Sequence, residues 1–158
     1  MKKLFFVLFV LAVTIFTANA QEKAIGLRLG GDVEASFQFP VGKNRIELDA
    51  GLSLYSYYGG VNFNVSGAYH WVFNIANIEG FNWFVGPGVT VGAWLTGPHY
   101  YNSFGAGILA QGGVEYNFKF PLQIAADYRP ALMFVVGHEY FDLRPIYHGF
   151  ALSARYRF

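Results

Sequence analysis

Cysteine is absent from all 158 residues of the sequence. Its absence excludes a disulfide scaffold, thiol chemistry and attachment of a lipid through cysteine. An excess of charge is also missing, because eleven lysine and arginine residues stand against ten aspartate and glutamate residues. A near-neutral chain has no basic surface for nucleic acid, so we expect no nucleic-acid partner. The candidate metal ligands are His138, Glu139, Asp142 and His148, but their spacing matches no established ligand pattern, and we expect neither a metal nor a cofactor.

A long apolar run is missing after residue 20, whereas the residues before it form a signal peptide. Lys2 and Lys3 give its basic start, residues 4–16 its apolar run, and Ala18 and Ala20 a small-x-small cleavage site. The run is shorter than the roughly 20 apolar residues that span a bilayer. We therefore expect residues 1–20 to be cleaved after export through the Sec pathway.

Residues 21–158, expected to form one domain, are apolar in composition without containing a membrane-spanning helix. The sequence is 54% hydrophobic and 20% aromatic, with a mean hydropathy of +0.29, which is high for a water-soluble domain. Only helices and closed β-barrels satisfy every backbone hydrogen-bonding group inside a membrane. The composition therefore favours a barrel.

Alternation of apolar and polar residues, cut by turn signals, divides this domain into eight segments typical of β-strands. An even number of strands keeps both chain ends on one side of a membrane. Gly30 and Gly31 are needed for a tight first hairpin, with glycine taking positive φ. Residues 136–146 are expected to form a long connection before the last strand. Pro87 interrupts the fifth strand, where we expect a bulge or bend.

The polar face of these strands decides between two kinds of barrel. A lipocalin-like soluble barrel also has eight alternating strands, but its apolar face points inward. Here the polar face is rich in glycine, as at Gly86, Gly88 and Gly92. Glycine would weaken strands on an exterior surface, whereas it makes room for long side chains in a narrow lumen. The sequence therefore predicts polar side chains inside the barrel and apolar side chains toward lipid.

The predicted inward face carries nearly balanced charges, which we expect to pair and fill the lumen. Asp127 is expected to pair with Arg155 or Arg157 on the neighbouring strand. An ion path through a gated pore is the alternative interpretation. The expected polar network of the lumen consists of Arg28, Glu34, Glu47, Asp49, His70, Glu115, Asp127, Arg129, Arg155 and Arg157.

Large aromatic residues gather at the strand ends nearest the chain termini, as in the girdle of a membrane barrel. The expected girdle consists of Tyr69, Trp71, Phe73, Trp83, Tyr116, Phe118 and Tyr156. The last strand alternates too, with Phe150, Leu152 and Phe158 on its apolar face. It resembles the terminal strand of outer-membrane β-barrels, which the barrel-assembly machinery recognises. The resemblance implies that Phe158 belongs to an assembly signal.

The alternation throughout, the short turns on one side and the aromatic last strand together resemble small eight-stranded outer-membrane proteins. Outer-membrane protein X and the membrane domain of outer-membrane protein A have this architecture. The resemblance implies an all-β, antiparallel, up-and-down transmembrane β-barrel in the outer membrane of a Gram-negative-type bacterium. We also expect contacts with outer-membrane lipid and lipopolysaccharide. The sequence leaves the oligomeric state open, with a monomer favoured.

Three functions remain open on the sequence. The first is a structural or surface-interaction barrel with a lumen filled by side chains. The second is a porin-like narrow channel for ions or small solutes, and the third is a lipid-modifying outer-membrane enzyme. The His-x-Ser pair of lipid A deacylase is absent, and His99 with Ser103 or His138 with Asp142 would imitate only part of the palmitoyltransferase site of this membrane. We therefore expect no catalysis.

Overall fold

The described part of the protein folds as an antiparallel β-barrel. The structure, a computed structural model, describes residues 23–53, 61–75, 78–95, 102–137, 141–146 and 149–158. The predicted signal peptide therefore lies outside the described residues. Within the described part of the chain, no helix is long and apolar enough to cross a membrane.

The described chain forms ten β-segments joined in chain order. They are β1 (Ala24–Leu29), β2 (Val33–Val41), β3 (Asn44–Ser53), β4 (Val61–Asn74), β5 (Phe81–Leu95), β6 (Ser103–Asn117), β7 (Leu122–Tyr128), β8 (Ala131–Val136), β9 (Phe141–Ile146) and β10 (Phe150–Arg157). Period-2 alternation of exposed and buried side chains runs along most of them, as expected where one face of a strand is buried.

These ten segments occupy eight positions around the barrel, which confirms the predicted strand number. Antiparallel pairing runs from β1 through β2, β3, β4 and β5 to β6. Both β7 and β8 then pair with β6, and they are two halves of the seventh barrel strand. In the same way, β9 and β10 are two halves of the eighth strand. Pairing of β10 with β1 closes the barrel, and Lys23 and Phe158 exchange two backbone hydrogen bonds at that seam.

The prediction of a long connection at residues 136–146 is wrong. Instead, β8 and β9 form a hairpin that extends the last two barrel strands away from the chain termini. The seventh strand is interrupted only at Arg129 and Pro130, because proline has no N–H to donate to the ladder. Its pairing register with β6 is the same before and after this point, from Gly112 opposite Tyr128 to Leu109 opposite Ala131.

The pairing register of the seventh and eighth strands differs on the two sides of this interruption. Ala131 pairs with Ile146, whereas Tyr128 pairs with Phe150. The two pairs are three residues apart in the seventh strand and four residues apart in the eighth, so the register shifts by one residue. A shift of one residue changes which side chains of a strand point inward.

Of the bulge or bend predicted at Pro87, the bulge is absent. Ala68 pairs with Gly88 and Trp71 with Val85, so two residues face two residues across the interruption. On its other side, Pro87 pairs with Ala110 without a break. The ladder lacks only the pairs of β4 and β5 that lie around Pro87.

The first hairpin is present, although its glycines act differently from the prediction. Among the described residues, the glycines with positive φ are Gly42 and Gly80, at two turns on the side of the chain termini. Gly30 instead allows the backbone of β10 to come close, because a Cβ at Gly30 would lie 2.4 Å from the carbonyl oxygen of Phe150. Its backbone N–H also donates to the carbonyl of Asp32.

The orientation of the two faces agrees with the prediction. Apolar side chains cover the outside of the barrel, as Val89 (62% exposed) and Ile108 (65% exposed) illustrate. Charged side chains fill the inside, where Glu47 and His70 have no exposed surface. A water-soluble barrel would show the opposite arrangement.

Candidate functional site

The lumen of the barrel contains the predicted polar network. Nine of its ten predicted members are buried there, each with at most 6% of its surface exposed. The exception is Arg157, which is only partly buried and donates a hydrogen bond to the carbonyl oxygen of Phe118 at the turn after β6. Arg157 therefore belongs to the rim near the chain termini.

A chain of ion pairs crosses the middle of the lumen. Arg28 binds Asp127 through Nη2 and Oδ1 at 2.6 Å, and Glu34 through Nη1 and Oε2 at 2.8 Å. Arg129 shares the same Glu34 oxygen and reaches Asp49 at 2.7 Å. The five side chains come from β1, β2, β3 and the seventh barrel strand, so they join walls that are not neighbours in the sheet.

The predicted pairing of Asp127 with Arg155 or Arg157 is wrong. The Asp127 carboxylate instead accepts hydrogen bonds from Arg28, and also from Gln111 Nε2 at 3.2 Å. Arg155 turns toward Glu47, with Nη2 and Oε1 3.1 Å apart. Adjacency of two strands therefore does not determine which charged side chains form ion pairs, because long side chains reach across the lumen.

Glu47 is the centre of a second polar cluster, on the side of the chain termini. Its carboxylate accepts hydrogen bonds from the side-chain amides of Gln38 and Gln111, and Arg155 approaches it. His70 Nδ1 lies 4.0 Å from a Glu47 oxygen. The His70 ring also packs against Phe84, with ring centroids 4.7 Å apart. His70 is therefore a buried lumen residue whose position is fixed by packing against its neighbours.

Arg45 is a lumen residue that the sequence interpretation missed. It forms an ion pair with Glu115 on the far wall, and its guanidinium lies 4.5 Å from the centre of the Phe84 ring. Its Nε also donates to His70 Nδ1 at 3.4 Å. The period of two from Glu47 would have placed Arg45 on the inward face, but the turn signal before it hid the start of β3.

Glycine makes room for this network, as predicted, at Gly51. A Cβ at Gly51 would lie 2.7 Å from Glu34 Cγ and 2.9 Å from the amide of Asn64. Other inward glycines serve the packing of strands on each other. At Gly86, a Cβ would lie 1.7 Å from the backbone oxygen of Tyr69 on β4. The lumen thus depends on glycine both for side-chain space and for backbone approach.

A cavity of about 350 Å³ lies in the half of the lumen away from the chain termini. We call it the vestibule, and the part of its lining used below consists of Asn62, Asn64, Ser66, Thr90, Trp94 and Met133. Its floor is formed by Arg28, Glu34 and Arg129, which belong to the ion-pair chain. The cavity therefore ends at the ion pairs.

The predicted aromatic girdle lies at the rim near the chain termini. Phe73 and Trp83 stack across β4 and β5 with ring centroids 4.4 Å apart. Tyr116 packs edge-on against Phe118 at 4.8 Å. The remaining predicted members, Tyr69, Trp71 and Tyr156, lie at the same ends of β4 and β10.

A second apolar band, which the sequence interpretation missed, lies near the opposite rim. Register places Phe63, Ala93, Phe104, Val136 and Phe141 side by side in one row across β4, β5, β6, β8 and β9. Phe104 and Phe141 have 60% and 70% of their surface exposed. Recognition of this band requires the register of β8 and β9, which the alternation of apolar and polar residues does not reveal.

The described residues include no group of three or more histidine, aspartate or glutamate side chains arranged to hold a metal ion. The histidines weighed for catalysis, His99 and His138, lie outside the described residues. Their possible partners Ser103 and Asp142 are described, at the start of β6 and within β9.

No protein-family model matches the sequence, and no curated protein matches it significantly. Among solved structures, the chain is similar to the crystal structure of Neisserial surface protein A. The TM-score is 0.61 with 11% sequence identity, and the match covers 87% of this chain and 94% of that chain. At this identity the similarity concerns the fold, which is that of a small eight-stranded barrel.

Proposed function

We propose that this protein is an integral barrel of a bacterial outer membrane whose lumen is closed by side chains. Its role in this proposal is structural or concerns interactions at the cell surface, without catalysis. The observation that carries the proposal is the chain of ion pairs across the lumen, in which Arg129 links Glu34 to Asp49. Eight-stranded barrels have an interior just wide enough for side chains to fill.

The exterior supports a membrane location. Phe104 belongs to the second apolar band and Tyr116 to the aromatic girdle. Both lie on β6, twelve residues apart. At roughly 3.3 Å per residue and a tilt of about 40°, they are separated by about 30 Å along the barrel axis. This separation matches the hydrocarbon thickness of about 25–30 Å that a barrel must cover.

The remaining parts of the proposal follow from this location. The rim with the chain termini faces the periplasm, and the opposite rim contacts lipopolysaccharide. The exposed face of β10, with Leu152 (65% exposed) and Tyr156 (57% exposed), is offered to the barrel-assembly machinery. The chain is exported through the Sec pathway, and the barrel is monomeric in outer-membrane lipid.

Conductance across a planar bilayer tests the closed lumen. The folded wild-type barrel is expected to give no discrete current steps. A variant that combines Glu34→Ala, Asp49→Ala and Arg129→Ala with Glu47→Ala and Arg155→Ala removes the centre of the ion-pair chain and of the polar cluster around Glu47. It is expected to conduct. Reproducible steps from the wild type would contradict the proposal, whereas steps from the variant show that the assay detects this barrel.

A narrow channel is the second candidate, and the vestibule is the observation that favours it. A cavity of about 350 Å³ lies in the half of the lumen away from the chain termini. The ion-pair layer, the polar cluster around Glu47 and the Arg45–Glu115 pair separate it from the other rim. Wild-type conductance would identify this function.

The part of the proposal that excludes catalysis is tested separately, by mass spectrometry of lipid A from deletion and overexpression strains. A change in acyl composition would reveal an enzyme.

A further inference from the structure

The vestibule has the size and lining of a ligand site, which a purely structural barrel does not need. Its volume of about 350 Å³ is in the range of small-molecule pockets, roughly 300–1,000 Å³. Such pockets combine apolar or aromatic surface with a few convergent polar groups. The vestibule shows this combination, with Trp94 and Met133 facing the same space as Asn62, Ser66 and Thr90.

Trp94 is held in the vestibule by a row of glycines. It points inward from β5, and the next inward row contains Gly92 opposite Gly105. A Cβ at Gly105 would lie 2.9 Å from indole Cζ3, and one at Gly92 would lie 3.5 Å from Cη2. The indole thus packs against bare backbone, where any side chain at position 105 would displace it. A fixed indole is an apolar surface suited to stacking.

Polar groups lie beside this indole on the same wall. Asn62 pairs directly with Trp94 across β4 and β5. Among the hydrogen bonds between described residues, the Asn62 side chain takes part in none, so its amide is available to a ligand. Two rows deeper, Ser66 donates to Thr90 at 3.0 Å, and Thr90 donates to the carbonyl of Val65. The Ser66 oxygen therefore keeps its acceptor capacity.

The charged groups of the vestibule floor favour a neutral ligand. Arg28 is engaged by Glu34 and Asp127, and Arg129 by Glu34 and Asp49. A free anion or cation would have to break these buried pairs, which is costly. An alkyl chain is also disfavoured, because it would leave the Asn62 amide without a hydrogen-bond partner.

We propose that the vestibule binds one neutral sugar ring, which stacks on Trp94 and accepts and donates hydrogen bonds at Asn62 and Ser66. A sugar ring presents a face of C–H groups and an edge of hydroxyl groups, which correspond to the indole and to the polar wall. This inference goes beyond the proposed function, since a barrel closed to ions has no requirement to bind a solute.

Fluorescence of Trp94 tests the proposal directly. The sequence has three tryptophans, and Trp71 and Trp83 are exposed on the outside, so Trp71→Phe with Trp83→Phe leaves Trp94 as the sole tryptophan, which is excited selectively over tyrosine. This protein is folded in a detergent without a sugar head group. It is titrated with D-glucose, N-acetyl-D-glucosamine and maltose, and with mannitol as an open-chain polyol control. At least one sugar is expected to give a saturable change in emission that mannitol does not give.

Variants of the wall identify the site. In the same background, Asn62→Leu is expected to weaken sugar binding about fivefold or more by removing the amide. Gly105→Ala is expected to abolish the saturable response by displacing the indole. Its matched control is Gly112→Ala on the same strand, where the nearest atom to an added Cβ is 3.5 Å away. The control is expected to bind as the parent protein does.

Calorimetry with Trp94→Leu in the otherwise wild-type protein gives an independent measurement, with an expected loss of affinity of about tenfold. Folding of each variant is checked by its heat-modifiable electrophoretic mobility. If Trp94→Leu does not fold, Trp94→Phe replaces it and is expected to retain binding within about threefold, and Asn62→Leu then carries the test.

Three results would overturn the proposal. The first is the absence of a saturable response to all three sugars. The second is saturation by choline or inorganic phosphate but by none of the sugars, which would identify an ion site. The third is unchanged sugar affinity in folded Asn62→Leu, which would place any binding elsewhere on the barrel.

Discussion

Arg129 and Asp49 lie on opposite walls of the barrel, four strand positions apart, with Nη1 and Oδ2 separated by 2.7 Å. Neither side chain is more than 5% exposed. Replacement of Arg129 by methionine leaves the Asp49 carboxylate buried without its ion pair. Loss of one partner of a buried pair costs about 3–5 kcal/mol, and we expect this decrease in the free energy of unfolding. Urea unfolding from lipid vesicles measures it.

The control for this variant is Arg144→Met. Arg144 pairs with Asp142 at 2.8 Å, but both side chains are about half exposed. A solvent-exposed pair contributes about 0–1 kcal/mol, so we expect little change in stability. Equal costs for the two variants would contradict the interpretation that the lumen pair is buried away from water.

Asp127 and Arg28 are expected to be coupled energetically, because three hydrogen bonds of 2.6, 3.0 and 3.2 Å join them. A double-mutant cycle with Asp127→Asn and Arg28→Gln should give an interaction energy of about 1–3 kcal/mol. The corresponding cycle with Arg155→Gln should give less than about 0.5 kcal/mol, since Arg155 pairs with Glu47. A larger interaction energy for Asp127 with Arg155 than for Asp127 with Arg28 would instead support the pairing expected from adjacent strands.

The difference between these two pairings shows what the sequence alone could predict. Alternation was sufficient to place Asp127, Arg28 and Arg155 inside the barrel, because side-chain direction in a strand has a period of two. It could not identify their partners. Which inward side chains meet depends on the stagger of the strands and on reach across the lumen, and neither is encoded in local spacing.

The second half of the seventh strand shows another limit. Met133 and Val135 point inward and are buried, although they are apolar. With Leu132 and Phe134 outward, the segment is an uninterrupted apolar run that has no period of two. The adjacent Pro130 is also typical of a strand end. The predicted connection at residues 136–146 covers β9, and the sequence interpretation assigns β8 to no strand. The outer half of the vestibule could therefore not be anticipated.

The Gly86 position is expected to be intolerant of any side chain. A Cβ there would lie 1.7 Å from the backbone oxygen of Tyr69, so β4 and β5 would have to separate. We expect Gly86→Ala to lower the free energy of unfolding by at least about 2 kcal/mol, as for an overpacked interior. Gly112→Ala faces outward with room and should stay within about 0.5 kcal/mol of the parent. A tolerated Gly86→Ala would contradict the close approach of these strands.

Ile108 tests the outward orientation of the apolar face in a bilayer. It is 65% exposed, pairs with Val89 across β5 and β6, and lies between the aromatic girdle and the second apolar band. An arginine on the lipid face near the bilayer centre costs about 2–4 kcal/mol, whereas near an interface it costs about 0–1 kcal/mol. We expect Ile108→Arg to show the larger cost in vesicle unfolding. The matched variant Val41→Arg, next to the turn at Gly42, should show the smaller one. Equal costs at the two depths would mean that hydrocarbon does not surround the middle of this barrel.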